Sequence, residues 1–434
     1  MIKRPRGIRL GYAAAIGAAA SILLGTVTLG QAAQSFLDIW DAALAFIGIV
    51  ALSVTLDSMG FFKWAALRVV KLASGSGVRL YFYVSLLTAT VSILFANDSA
   101  VLILTPIVLE IVSQLKIDSK GRMAYLFSAG LIADTAAMPL ITSNPINIVS
   151  ADFFKYTFIE HLVFMGPIAV ATIASSLLLV YLFFRKKIPK VYDVALVDTL
   201  QAGSEPISPK LLKVSIGTLV AIDVGYLLAS LSRIPVSFVI CSGTVFLVFV
   251  YWASLNGPQP IAEEKKSMRE LAKQINWDIV LFMLCIFLVV EGLNNIGLSD
   301  FLASALLRTS SLPSVLGVFG PSMVITVGAS FMNNWPMTIL GLLSIKQAAV
   351  TVGTNGQAFT GLVFSNVIGN NLGPHFFPLG SLAILMWLET MRRKGVKISL
   401  KDYLKVGAVV SIAEVAIAST VLWAELTLGF RLAL

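Results

Sequence analysis

The sequence predicts an all-helical protein that crosses a membrane many times. Of its 434 residues, 57% are hydrophobic and 13% are charged, whereas a soluble domain carries about 25% charged residues. The mean hydropathy is +0.87. Apolar runs close to the ~20 residues that cross a bilayer recur along the chain, at 8–29, 42–56, 162–184, 211–231, 234–252, 279–290 and 406–426. No polar stretch is long enough for a separate soluble domain.

The net charge of +9 is distributed as in a membrane protein. Basic residues cluster at the ends of apolar runs, which is the bias of cytoplasmic loops. The clusters are Lys3, Arg4, Arg6, Arg9; Lys63, Arg68, Lys71, Arg79; Lys116, Lys120, Arg122; Arg185, Lys186, Lys187, Lys190; and Arg392, Arg393, Lys394, Lys397, Lys401. We therefore expect a lipid bilayer and no nucleic acid as partner, and a cytoplasmic N-terminus. The first apolar run is interpreted as a retained span, because no convincing cleavage site follows it.

The short motifs of hydrolytic and ATP-binding proteins are absent from the sequence, which contains no HExxH, no P-loop and no GxSxG. Cys241 and Cys285 lie in separate apolar runs and are interpreted as packing residues. His161 and His375 are not spaced as metal ligands. The sequence therefore predicts a transporter without cofactor or metal, and not an enzyme.

Two apolar segments are interrupted near their midpoints, as re-entrant hairpins are. The first is 79–116, interrupted by Asn97 and Asp98, and the second is 315–349. If the first segment crossed the membrane twice, its polar pair would lie in an outer loop. As a hairpin it would hold the pair near mid-membrane, and both arrangements return the chain to the same side.

Two further spans are broken inside the membrane. The first, 123–158, contains Ser143-Asn144-Pro145, and the second is 359–391. Counting spans against basic loops gives nine or ten spans plus two hairpins. The C-terminus is then expected in the periplasm of a bacterial cell, outside the inner membrane.

The two halves repeat at an offset of 236–237 residues. We predict an N-terminal repeat, 1–195, and a C-terminal repeat, 205–434, joined by a linker within 191–210. An odd number of crossings separates the hairpins, so the repeats are inverted, as in many secondary transporters. The alignment pairs Gly60 with Gly297, Phe95-Ala96-Asn97-Asp98 with Phe331-Met332-Asn333-Asn334, and Asp134 with Asn371.

Polar residues at the hairpin tips and helix breaks predict one shared cavity between the repeats. Irregular backbone at membrane depth is tolerated only where protein or a water-filled cavity satisfies it. The alternative for any one asparagine is that it caps a broken helix. The expected lining residues are Asn97, Asp98, Ser143, Asn144, Asn147, Asn333, Asn334, Asn370 and Asn371, with His375 or Ser381 as further candidates.

Asp98 and Asp134 are the expected sites of proton coupling. A carboxylate at the bilayer centre costs about 2.5–3.5 kcal/mol, so one that is kept there usually has a function. A buried carboxyl group can take up and release a proton. The alternative is an N-cap or an internal hydrogen bond. Glu291 ranks next, and Asp57, Asp223, Glu414 and Glu425 rank lower because several of them lie near span ends.

The chain resembles the bacterial arsenical pump membrane protein family, within the ion transporter superfamily, from about residue 10 to its C-terminus. The resemblance rests on LFANDSAVLILTPIVLEI (94–111), GLIADTAAMPLITSNPINIVSADFF (130–154), FFRKKIPKVYD (183–193), FMNNWPM (331–337) and SNVIGNNLGPHFFPLGSLAILMW (365–387). It implies export of arsenite and antimonite, driven by protons or by a soluble ATPase that could dock near 255–275.

The resemblance implies that the functional region includes the hairpin tips and helix breaks named above. Relatives often carry an acidic residue at the position of Asn371, so that proton coupling would here either fall on Asp98 and Asp134 or be weaker. Amide and hydroxyl groups suit As(OH)3 and Sb(OH)3, which are neutral trihydroxides. The motifs contain no arginine or lysine at these positions to clamp a dicarboxylate. The alternative function is sodium- or proton-coupled transport of another small solute, and a channel or intramembrane enzyme is the rival class.

Overall fold

The architecture is a bundle of α-helices. The structure is a computed structural model that describes residues 8–196, 207–232, 234–255, 266–354 and 356–432. Within these ranges the only β-structure is an isolated bridge between Ser76 and Val191, which confirms the all-helical prediction. Lys3, Arg4, Arg6 and residues 197–206 of the predicted linker lie outside the described residues.

Eight helices form the first part of the described chain. They are α1 (Leu10–Leu23), α2 (Leu29–Ser58), α3 (Phe61–Ala73), α4 (Gly77–Phe95), α5 (Asn97–Gln114), α6 (Ser119–Thr135), α7 (Pro145–Phe154) and α8 (Phe158–Phe184). Helices α4 and α5 form a hairpin. Helices α6 and α7 form a broken span, with a 3-10 turn at Ile141–Ser143 between them.

Ten described helices follow. They are α9 (Pro209–Leu231), α10 (Val236–Leu255), α11 (Met268–Gln274), α12 (Trp277–Asn295), α13 (Leu298–Ser310), α14 (Leu316–Met332), α15 (Asn334–Val352), α16 (Gln357–Leu372), α17 (Leu382–Arg393) and α18 (Leu400–Thr427). Helices α14 and α15 form the second hairpin. Helices α16 and α17 form the second broken span, around the 3-10 turns Gly373–His375 and Pro378–Gly380.

Eight of the described helices are long and apolar enough to cross a membrane, namely α2, α4, α8, α9, α10, α12, α15 and α18. The broken spans are not among them because each is divided into two short helices. Helix α2 begins at Leu29, well before the apolar run predicted at 42–56. The reason is a capping box, in which Thr28 and Gln31 satisfy each other's backbone N–H groups.

The order of elements from α2 to α8 recurs from α12 to α18. Each series has a long helix, a short amphipathic helix, a hairpin, a broken span and a final long helix. The backbone bends agree as well. Gly60 (φ 81°, ψ 12°) precedes α3, and Gly297 (φ 89°, ψ 12°) precedes α13. A positive φ at both bends explains the glycine at both.

The hairpin tips correct one detail of the sequence alignment. The first hairpin reverses at Ala96 (φ 64°, ψ 153°) and the second at Asn333 (φ 82°, ψ 150°). Ala96 therefore corresponds to Asn333, at the same offset that pairs Gly60 with Gly297. The pairing of Ala96 with Met332 is wrong by one residue, because it matched the first asparagine of each tip by identity.

The broken spans form the centre of the bundle. Every residue of 124–139 and of 359–375 is buried. Helices α9 and α10, by contrast, expose many large apolar side chains, including Val220, Leu228 and Phe246. This contrast places polar residues of the breaks in the interior and apolar residues on the surface that would face lipid.

Basic side chains collect at one end of the bundle, which we call the basic end. There Gly77 N donates to Lys190 O (3.3 Å), Tyr192 Oη donates to Val70 O (3.1 Å), and Lys266 lies 3.7 Å from a carboxylate oxygen of Asp57. At the opposite end the described basic residues are Lys155, Arg308, Lys346 and Arg431. The molecule is therefore strongly polarised in charge along its helix axes.

Candidate functional site

Helix ends meet in the interior of the bundle. Helices α5 and α15 begin at the hairpin tips, whereas α7 and α17 begin after the breaks, where Asn144 and Ser381 cap them. Helices α4, α6, α14 and α16 end in the same regions. Helix starts present free N–H groups with partial positive charge, and helix ends present free carbonyls. These helix ends can therefore donate and accept hydrogen bonds without carrying a full charge.

Asp134, the penultimate residue of α6, joins three of these interrupted elements. Asn97 Nδ2 at the first hairpin tip donates to Asp134 Oδ1 (2.5 Å). Ser381 Oγ, at the start of α17, donates to the same oxygen (3.2 Å). Asp134 is only 2% exposed. The first hairpin and both broken spans are thus tied together at one carboxylate oxygen.

The other oxygen of Asp134 faces a buried histidine. His375 Nε2 lies 3.4 Å from Asp134 Oδ2, and His375 Nδ1 lies 2.9 Å from Glu414 Oε2 on α18. Thr135 Oγ1 donates to the remaining oxygen of Glu414 (2.7 Å). His375 and Glu414 are fully buried. We call Asp134, His375 and Glu414 the buried triad.

Three asparagines link the two helix breaks directly. Asn144 Nδ2 donates to Asn371 Oδ1 (3.0 Å), and Asn371 Nδ2 donates to Asn147 Oδ1 (2.9 Å). Asn147 Nδ2 in turn donates to the carbonyl of Ala137 (2.9 Å). Asn144, Asn147 and Asn371 therefore form one chain of amides between α7 and α16, which we call the amide chain.

Most of the other predicted residues form hydrogen bonds outside the buried triad and the amide chain. Asn333 donates to Leu379 O (3.1 Å) and accepts from Trp335 N, so that it caps α15. Ser143 donates to Ile93 O (2.7 Å), and Asn370 donates to Asn366 Oδ1 (2.8 Å). Asn334 Oδ1 is buried and has no hydrogen-bond partner among the described residues. Asn144 also caps a helix. The capping alternative therefore holds for Asn144 and Asn333, and both residues make additional hydrogen bonds.

Asp98 faces a different space from Asp134. Its side chain lines a cavity of about 310 Å³ between α2, α5 and the start of α12, near the basic end. Asp57, Gln274 and Asn276 line the same cavity. The two adjacent residues at the first hairpin tip therefore face different spaces. Asn97 faces Asp134, and Asp98 faces the cavity.

A larger cavity, of about 960 Å³, lies toward the opposite end between α2, α7 and α15. It reaches the first helix break at Ile141. Its charged lining residues are Asp38, Asp41, Asp152, Lys155 and Lys346. The interrupted helices at the centre are thus approached by one cavity from each end of the bundle.

Sequence reasoning placed Glu414 among the weaker candidates, whereas the structure places it against His375. Glu414 lies in the middle of α18, far from either helix end, and its carboxylate meets His375. The sequence contained a signal for this position. A carboxylate in the middle of an apolar run costs as much free energy to place in the membrane as the carboxylate of Asp134 does. His375 was named only as a further candidate, since nothing in its local sequence marks the two carboxylates that flank it.

The fold and this centre define the class of the protein. Two repeated sets of a hairpin and a broken helix, with polar helix ends meeting inside a bundle of apolar helices, are the architecture of multi-pass membrane transporters. Among the described residues, no group of three or more His, Cys, Asp and Glu side chains is arranged to hold a metal ion. A solved structure with a similar fold is the Alcanivorax borkumensis YdaH transporter, with a TM-score of 0.60 and 13% identity over 92% of this chain and 88% of that one.

The chain belongs to the arsenical pump membrane protein family. The sequence model of that family matches residues 1–426. The arsenical pump membrane protein of Yersinia enterocolitica is 36% identical over 413 residues, covering 95% of this chain and 92% of that protein. The protein of the same name from Escherichia coli (strain K12) is also 36% identical, over 415 residues and with the same coverage. The family resemblance deduced from the motifs is thereby confirmed.

Proposed function

We propose that this protein exports arsenite and antimonite, as neutral As(OH)3 and Sb(OH)3, from the cytoplasm in exchange for protons. The observation that carries the proposal is the junction of both helix breaks, made by the amide chain and by the contacts of Asn97 and Ser381 with the carboxylate of Asp134. Family membership supplies the class of cargo, since the relatives are named arsenical pumps. The resulting activity would confer resistance to arsenic.

The chemistry of the centre suits a trihydroxide. Each hydroxyl of As(OH)3 can donate one hydrogen bond and accept others, as the amides of Asn144, Asn147 and Asn371 also can. Helix ends add further donors and acceptors. Asn97, Ser143, Asn333, Asn334 and Asn370 complete the proposed binding set. None of these side chains is cationic, which disfavours a dicarboxylate as cargo.

Asp98 and Asp134 are the proposed proton-coupling residues. Each is buried and lies at or beside an interrupted helix. Asp134 touches the binding set through Asn97, whereas Asp98 lines the cavity near the basic end. Protons could thus be exchanged at two positions on either side of the first hairpin tip.

The charge distribution supports an orientation in the bacterial inner membrane. Cytoplasmic loops are rich in lysine and arginine, so the basic end is assigned to the cytoplasm. The N-terminus is then cytoplasmic and the C-terminus periplasmic. The 310 Å³ cavity would admit cargo from the cytoplasm, and the 960 Å³ cavity would release it to the periplasm.

The experiment that tests this function measures arsenite uptake into everted membrane vesicles under an imposed pH gradient. Wild type should accumulate arsenite, and a protonophore should abolish the accumulation. Asp134→Asn should reduce the accumulation by about 10- to 100-fold, because a buried hydrogen bond to a charged group is worth about 1.5–3 kcal/mol. Asp98→Asn, made in parallel, tests the second proposed position. If neither substitution changes uptake, the assignment of proton coupling to Asp98 and Asp134 is refuted.

The same vesicles discriminate the alternatives. Dependence on sodium and competition by dicarboxylates would favour transport of another small solute. Uptake that needs ATP and an added arsenite-stimulated ATPase would identify that partner as the energy source. Its suggested docking region includes Glu263, Glu264 and Lys265, which lie outside the described residues, and Lys266 and Arg269, which lie at the basic end.

A further inference from the structure

Both ring nitrogens of His375 face a carboxylate. Nδ1 lies 2.9 Å from Glu414 Oε2, and Nε2 lies 3.4 Å from Asp134 Oδ2. The three side chains are between 0 and 2% exposed, so bulk water does not screen these contacts. The buried triad therefore links the first helix break, the second helix break and α18 by charge.

The number of protons in the triad decides which contacts are attractive. A ring nitrogen and a carboxylate oxygen attract each other only when a proton lies between them, since both otherwise present lone pairs. Two protons satisfy both contacts, with an imidazolium between two carboxylates. With one proton, one of the two contacts becomes repulsive.

The contact to Asp134 is the one where a proton would be lost. It is the longer of the two, and neither His375 Nε2 nor Asp134 Oδ2 has a hydrogen-bond partner among the described residues. Glu414, by contrast, is held on both oxygens, by His375 and by Thr135. The contact at Nδ1 is therefore the better satisfied of the two, and the atoms at Nε2 and Asp134 Oδ2 are the ones left without a hydrogen bond.

Few other titratable groups face His375. Helix α18 contributes Glu414 and Tyr403, and Tyr403 Oη is buried with no hydrogen-bond partner among the described residues. Helix α6 contributes Asp134, and Asp98 on α5 directly follows Asn97, which donates to Asp134. Helices α14 and α16, which also pack against the 3-10 turn of His375, contain no titratable side chain.

We propose that His375, held by Glu414, carries the exchanged proton, and that this proton and a hydroxyl of the cargo bind Asp134 Oδ2 in alternation. This proposal rests on the proposed function. In one state His375 Nε2–H donates to Oδ2. In the other state an As–OH group donates to Oδ2, and the proton from Nε2 has left to water. One proton is released for each cargo molecule bound, which is the exchange that an antiporter requires.

The test measures proton release when arsenite is added to the purified full-length protein in weakly buffered detergent solution. A pH-sensitive dye reports the protons, and the heat of binding reports arsenite affinity. Wild type should release about one proton per arsenite bound, since two ligands compete for one oxygen. His375→Gln should release none and should still bind arsenite. His161→Gln is the matched control, because His161 is also buried but its Nε2 lies against the Met138 carbonyl (2.8 Å) instead of a carboxylate.

Each outcome is decisive. Proton release by His375→Gln equal to that of wild type would overturn the proposal and leave arsenite transport standing. Loss of arsenite binding in His375→Gln, with thermal stability unchanged, would make His375 a substrate ligand and also overturn it. Glu414→Gln provides the second variant, and it should move the pH range of proton release because it removes the charge that holds Nδ1–H. If wild type itself binds no arsenite, the proposed function fails and this proposal fails with it.

Discussion

Asp134 and Asn371 occupy corresponding positions at the ends of α6 and α16, yet their surroundings differ. Asp134 accepts hydrogen bonds from Asn97 and Ser381 and faces His375. Asn371 both donates and accepts, and its neighbours are the amides of Asn144 and Asn147. One repeat thus has a carboxyl group at this position, and the other has an uncharged amide. At the scale of single residues, the two repeats therefore differ in the chemistry of their broken spans.

A substitution at Asn371 should reveal that difference. Asn371→Asp keeps the acceptor for Asn144 but removes the donor to Asn147, so that a carboxylate oxygen would face the Asn147 carbonyl. Arsenite uptake should fall by about tenfold or more at neutral pH, as expected for an unsatisfied buried acceptor. It should recover partly as the pH is lowered, since a protonated carboxyl group can donate to Asn147 again. Uptake is measured as a function of pH.

Asn371→Ser serves as the control for this pH dependence. Its hydroxyl does not titrate, so its uptake should be reduced equally at every pH at which wild type is active. A recovery at low pH in both variants would contradict the assignment of the pH dependence to the carboxyl group that Asn371→Asp introduces.

The sequence predicts the identity of these polar residues better than their pairing. Asn97, Asp134 and Asn371 stand out because they interrupt apolar runs. Their contacts depend on how two segments far apart in the chain pack together, which no local pattern encodes. The division of Asn97 and Asp98 between two spaces is an example, since adjacent residues at a helix start point in different directions. The contact of Glu414 with His375 is another, since it depends on α18 packing beside the second break.

At the scale of elements, the hairpin tips are the most unusual feature. Ala96 adopts a positive φ with an extended ψ, a region that strongly favours glycine, and Asn333 adopts the same conformation. The tight reversal allows α5 to start directly after α4 ends, so that Asn97 enters the centre at the first residue of its helix. The strained backbone conformation is thus at Ala96, which sets the direction in which Asn97 enters the centre.

Replacement of Ala96 by glycine should therefore stabilise the protein. Such strain costs about 1–3 kcal/mol, and glycine recovers most of it at an entropic cost of about 0.5–1 kcal/mol, so the free energy of unfolding should rise by about 1 kcal/mol. Ala96→Val should lower it, because a branched side chain suits this conformation less well. Thermal unfolding in detergent measures both variants.

Gly60 provides a matched control for backbone strain. It also has a positive φ, and an added Cβ would meet no atom within 4 Å. Gly60→Ala should consequently lower the melting temperature through backbone strain alone. An Ala96→Gly variant less stable than wild type would argue that the tip is not strained.

The hairpins and broken spans could be located from the sequence because polar pairs and prolines interrupt apolar runs. The observed hairpin helices, Gly77–Phe95 with Asn97–Gln114 and Leu316–Met332 with Asn334–Val352, lie close to the predicted segments. The exact register of the repeat could not be read in this way. At the tips the register of the repeat follows from backbone conformation. Ala96 and Asn333 share this conformation although they are different residue types.

At the scale of the whole molecule, charge and cavities define two ends. The basic end holds most of the described lysine and arginine residues, and each end has a cavity that reaches the interrupted helices. The sequence predicted the charge asymmetry because lysine and arginine can be counted between apolar runs. It could not predict the cavities, because they lie between helices that are distant in the chain.

Labelling of single cysteines should test the orientation. Gln274 lines the cavity near the basic end and Gln34 lines the cavity near the opposite end, and both are exposed. In a background in which Cys241 and Cys285 are replaced by alanine, Gln274→Cys should react with a membrane-impermeant thiol reagent only in everted vesicles. Gln34→Cys should react only in intact cells or spheroplasts. The reverse pattern would invert the assigned topology, and retained arsenite uptake in the background protein is the control.

The uncharged character of the amide chain has an electrical consequence. If the cargo is neutral and the returning ion is a proton, each cycle moves one positive charge into the cell, so the membrane voltage drives export directly. One elementary charge crossing 100 mV contributes about 2.3 kcal/mol, which alone sustains roughly a 50-fold concentration difference of the cargo. Export would then continue when the internal and external pH are equal. Collapse of the voltage with a potassium ionophore would slow it even at a constant pH gradient.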